Sequence, residues 1–124
     1  MAYKNLIMKR TTTILILFLA VFSMYGQEIV GTWNGAIETP NGNLRINFHI
    51  SEADEGYTTT FDSPDQNAFG IPVDTTKYKK PDLTLKVNQI DFLYEGSLTE
   101  ENSIKGTMTQ MGQTIELNLT KKEE

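Results

Sequence analysis

The chain has 124 residues, no cysteine and a formal net charge of −5 at neutral pH. Without cysteine, a disulfide framework and a thiolate zinc site are both excluded, so a hydrophobic core must hold the fold alone. The acidic balance argues against nucleic acid and anionic membrane surfaces as partners, since both would repel it.

The first 26 residues read as a signal peptide. Lys4, Lys9 and Arg10 make a basic start, an apolar run extends from Ile14 to Phe22, and Gly26-Gln27 is the expected cut. At about a dozen residues the run is short of the ~20 that span a bilayer. A lipid anchor would need a cysteine at the cut, and none is there. Cleavage removes three cations and no anions, leaving 98 residues with a net charge of −8. The expected product is an exported, soluble protein (periplasmic or extracellular), with 27–124 as a single domain and no membrane association after cleavage.

From Ile29 the apolar positions follow a period of two, the mark of strands with one buried face. Ile29, Gly31, Trp33, Gly35 and Ile37 share one side. Asn41-Gly42 then suits a tight hairpin turn. Leu44, Ile46, Phe48 and Ile50 point inward in the clearest strand, with Arg45, Asn47, His49 and Ser51 outward. After Glu52–Gly56, Tyr57, Thr59 and Phe61 form a third inward row, with Thr58, Thr60 and Asp62 outward. Alternation weakens over Gly70–Tyr78 and returns at Leu83, Leu85 and Val87. It continues at Ile90, Phe92, Tyr94, Gly96 and Leu98, then at Ile104, Gly106 and Met108, and ends with Ile115, Leu117 and Leu119. No helical period interrupts it.

Eight short strands with short connections predict an all-β fold, a single small antiparallel up-and-down β-barrel of calycin-like type, with an open sandwich as the alternative. Inward glycines at positions 31, 35, 96 and 106 suit tight bends at barrel corners.

The stretch from Thr60 to Val73 breaks the rhythm after Phe61 with two prolines, a glycine, two carboxylates, an amide pair and a further aromatic, Phe69. Asp62 can cap a turn by accepting backbone N–H groups, and Ser63-Pro64-Asp65 fits a type I turn. Equally, Asp62, Ser63, Asp65, Gln66 and Phe69 are the residues here that could contact a ligand or partner. Phe69 is either an exposed anchor or a plug over one barrel end. Trp33 and Tyr94 are large inward aromatics that either line a cavity or pack the core. His49, the single histidine, is expected as a surface residue, and neither a nucleophile elbow nor a metal-ligand set is present. No cofactor is implied.

Several of these segments resemble one family. Gly31-Thr32-Trp33-Asn34-Gly35, Leu44–Ile50, Asp62-Ser63-Pro64-Asp65-Gln66, Gly70-Ile71-Pro72-Val73, Tyr94–Leu98, Ile104–Thr107 and Gln110–Gln113 are similar to the β-rich domain that precedes the catalytic domain in exported bacterial serine α/β-hydrolases. The resemblance spans nearly all of residues 29–121. It brings no triad and no elbow onto this sequence, so it implies a stand-alone, non-enzymatic accessory module whose partner is a hydrolase or its substrate. Two other functions stay open: a calycin-like carrier of a small apolar ligand, and an inhibitor or lid for a partner hydrolase.

Overall fold

The alternating pattern forms strands throughout the computed structural model, which describes residues 28–100 and 102–123. The expected signal peptide and its cut lie outside the described residues. The strands are β1 (Gly31–Thr39), β2 (Gly42–Ala53), β3 (Gly56–Ser63), β4 (Ala68–Pro72), β5 (Thr75–Lys79), β6 (Asp82–Val87), β7 (Phe92–Glu100), β8 (Ser103–Gln110), β9 (Gln113–Glu116) and β10 (Leu119–Lys121). All pairings are antiparallel, in the order β4-β3-β2-β1-β10-β8-β7-β6-β5, with β9 beside β8.

Ten strands reduce to the expected eight because two are split. β4 and β5 are one extended piece that changes partners, pairing first with β3 and then with β6. At the changeover Val73 N–H donates to Thr59 O at 3.0 Å and Asp74 N–H to Lys86 O at 2.8 Å. The two ends of the sheet are therefore consecutive in the chain, and the covalent link through Val73 and Asp74 joins them on that side of the barrel.

The second split has a specific cause. β9 and β10 share one register against β8, with Glu116 opposite Thr107 and Leu119 opposite Ile104. Leu117 N–H still reaches Gly106 O at 2.9 Å. Its carbonyl, however, turns inward to accept the Tyr94 hydroxyl at 2.9 Å, and Asn118 Oδ1 takes over the Gly106 N–H at 3.2 Å. A side-chain amide thus replaces one rung of the ladder, leaving no backbone donor or acceptor orphaned there. The same contact explains two glycines. A Cβ on Gly96 would come within 2.8 Å of the Tyr94 hydroxyl, and one on Gly106 within 2.6 Å. They make room for a ring rather than mark corners.

Core side chains come from the predicted inward rows. Phe48, Phe61, Phe92 and Tyr94 form an aromatic cluster with centroids 5.8–6.2 Å apart, spacings typical of tilted and offset pairs. Trp33 is fully buried and donates from Nε1 to Ile29 O at 2.8 Å. Two inward assignments differ. Ile90 lies in a 3-10 turn, Asn88–Ile90, and is exposed. Ile115 keeps its parity, opposite buried Met108, but is 38% exposed because β9 stands away from β1.

Candidate functional site

The irregular stretch is smaller than its composition suggests. β3 runs through Ser63 and β4 resumes at Ala68, so only Pro64–Asn67 leave the sheet. Proline's fixed φ suits the first position of the 3-10 turn Pro64–Gln66. Asn67 then reverses the chain with a left-handed φ of 55° and donates its N–H to Pro64 O at 3.0 Å. Asparagine tolerates that conformation better than most residues. The turn has a twin. Asn88–Ile90 is followed by Asp91 at φ 50°, whose N–H returns to Asn88 O at 3.1 Å.

Three side chains pin the turn. Asp65 accepts from the Arg45 backbone N–H at 2.8 Å, from Nε at 3.3 Å and from Nη2 at 3.0 Å. This Arg45 pairing, its side-chain bonds first and its backbone N–H second, holds the Asp65 carboxyl below the usual carboxylate range. Ser63 is buried, and its hydroxyl donates to Gln66 Oε1 at 2.8 Å. Asp62 accepts the Gly70 N–H at 2.8 Å on one oxygen and meets His49 Nε2 at 2.8 Å with the other. Its pKa too is lowered, chiefly by the Gly70 N–H and next by His49.

His49 therefore does more than decorate the surface. Its other ring nitrogen, Nδ1, lies 3.0 Å from Thr32 Oγ1. With Nε2–H donated to the carboxylate, Nδ1 accepts the threonine hydroxyl, a tautomer assigned from the network. A hydroxyl, an imidazole and a carboxylate are thus linked across β1, β2 and β3. These group types can activate a nucleophile. Here, though, Thr32 is the second residue of β1 and, among the described residues, is not part of the clefts lined by Val30, Ala36 or Lys86, while Asp62 divides its oxygens between His49 and Gly70. What the chain of bonds accomplishes is to tie the turn to three strands. Among the described residues no three His, Asp or Glu side chains converge as a metal site would need.

Phe69 is the second residue of β4 and is 61% exposed. At that exposure it does not plug the barrel, whose core holds Phe61 and Phe92 stacked 6.2 Å apart. Trp33 and Tyr94 are both fully buried, with their polar atoms bonded to backbone carbonyls. The structure thus brings Asp62, Ser63, Asp65, Gln66 and Phe69 together and sets Trp33 and Tyr94 apart from them. The His49 bridge could have been found from the hairpins alone. Closing β1–β2 at Thr39 and Gly42 places Thr32 opposite His49, and closing β2–β3 at Ala53 and Gly56 places Asp62 one row along, opposite Asn47.

A solved structure of a redesigned β-barrel matches 80% of this chain and 95% of its own, with a TM-score of 0.51 at 14% identity. The chain is a β-barrel. At that identity the likeness is one of fold and carries no activity with it. No protein-family model and no curated protein matches the sequence.

Proposed function

We propose that this protein is an exported, non-catalytic β-barrel module that binds a hydrolase or its substrate through the Asp62–Phe69 segment. The observation that carries the proposal is Phe69, 61% exposed at the start of β4, just after a turn pinned by Asp62, Ser63 and Asp65. An aromatic anchor held in place before binding loses little conformational entropy when a partner closes over it, and such residues dominate interface energies. The resemblance to the domain ahead of serine α/β-hydrolases supplies the partner class. The buried, backbone-bonded Trp33 and Tyr94 favour this surface role over an apolar-ligand carrier.

A photo-crosslinking residue at position 69, introduced in the native host, tests the proposal. Mass spectrometry is expected to identify a hydrolase or its substrate among the adducts. Asp65→Asn should reduce them, and a crosslinker at exposed Met111 should not reproduce them. Identical adducts from positions 69 and 111 would remove the segment as the contact. Ester or peptide turnover by the purified chain that disappears with His49→Ala would replace the binding module by an enzyme.

A further inference from the structure

The barrel is open between β1 and β9. β1 pairs with β10 only at Trp33 and Asn34. From Gly35 to Thr39 its one strand partner is β2, and β9 pairs with β8 alone. Two strand edges therefore flank a groove of about 490 Å3 lined by Ala36, Glu38, Ile115, Glu116 and Asn118. The outer backbone groups of such edges are free to pair with another strand. Ile115 supplies an independent sign: it has inward parity, opposite Met108, yet is 38% exposed where a neighbouring strand would cover it.

We propose that this seam accepts an extended segment of a partner polypeptide in which apolar residues alternate with lysine or arginine. Strand addition of this kind draws affinity from main-chain hydrogen bonds and specificity from alternate side chains. Facing inward, the apolar residues would meet Ile115. Facing outward, the basic residues would meet Glu38 on β1 and Glu116 on β9, whose carboxylate is already oriented by Asn118 Nδ2 at 2.8 Å. A second copy of this chain suits the groove poorly, because its net charge is −5 and both rims are acidic. The seam involves none of the Asp62–Phe69 residues and stands or falls separately from the function proposed above.

The test uses the full chain, labelled with nitrogen-15, titrated with an end-blocked peptide of alternating valine and lysine. Amide shifts and slowed hydrogen exchange are expected at Gly35–Thr39 and Gln113–Glu116. The double change Glu38→Gln with Glu116→Gln should weaken binding about three- to tenfold, as two exposed ion pairs would. Glu38→Lys with Glu116→Lys should reverse the preference toward a valine–glutamate peptide. Equal binding of a peptide N-methylated at alternate backbone nitrogens would overturn the proposal, since charge alone would then explain it. So would shifts confined to other strands, no binding at all, or a concentration-dependent dimer formed through the seam.

Discussion

Replacing Tyr94 by Phe removes one buried hydroxyl and keeps the ring. The Leu117 carbonyl then loses its donor, and it cannot recover Gly106 N–H while Asn118 Oδ1 holds it. An orphaned buried acceptor costs about 1–3 kcal/mol. At ~1.5 kcal/mol, a domain of this size should melt roughly 6–12 °C lower. Burial also pushes the Tyr94 phenol well above its ordinary pKa. Above about pH 10 the unfolded chain ionises at this position while the folded chain does not, so the parent loses stability as pH rises, by at most ~1.4 kcal/mol per unit from this group. The Phe variant lacks that loss. Melting curves followed by far-UV circular dichroism between pH 8 and pH 11 should therefore show the two proteins converging at the alkaline end. Tyr78, raised mainly by burial as well, contributes a shared decline that leaves the difference intact. A melting point within about 2 °C of the parent, or a gap that does not change with pH, would refute the reasoning.

Gly106→Ala should destabilise by about 1–3 kcal/mol in urea titrations. Its Cβ would lie 2.6 Å from Glu95 O and 2.7 Å from the Gly96 Cα, backbone atoms that cannot move aside, so adding Tyr94→Phe should not rescue it. Asp62 supports the fold fully above the unfolded carboxylate pKa near ~3.9, and its contribution disappears as pH falls through the lower folded value. An NMR titration should show the Gly70 amide and the His49 ring shifting together below that point, and Asp62→Asn should abolish the shared transition. Asp65→Asn should raise the backbone mobility of residues 64–69, measured by heteronuclear relaxation, while leaving the aromatic cluster's signals in place. Phe69→Ala should leave the melting point almost unchanged, within about 0.5 kcal/mol, as for an exposed residue that supports no core contact.

Much of the barrel was legible because buried faces repeat every second residue. Leu83, Leu85 and Val87 on β6, and Ile46, Phe48 and Ile50 on β2, are buried where alternation puts them. Periodicity is silent, however, about where a strand changes partners or leaves its neighbour. Ile115 has the right parity and still faces an opening, because its burial depends on how far β1 follows β9. Ile90 looked like the start of a row, but the chain makes a 3-10 turn there identical in design to Pro64–Gln66. Capping by Asp62 was readable from its place before a turn. The Asp65–Arg45 pair, twenty residues apart in sequence, needed the β2–β3 register. His49 was seen as an outward residue, correctly, but its two partners sit on different strands and become visible only when the hairpins are aligned.

The two closures of the barrel are unequal. On one side Val73 and Asp74 carry the chain covalently from the edge that meets β3 to the edge that meets β6. On the other, β1 meets β10 through two residue pairs, reinforced by Lys121, whose ammonium bonds Glu28 O at 3.1 Å and lies 5.7 Å from the Trp33 ring centroid. Thermal opening should begin at the weaker join, since local fluctuations draw on the regions with fewest shared hydrogen bonds. The molecule then behaves as a curved sheet with a permanent hinge and a light clasp. Native-state exchange would release the amides at the short β1–β10 join before those of β2 and β7, whose pairings on both sides are much longer.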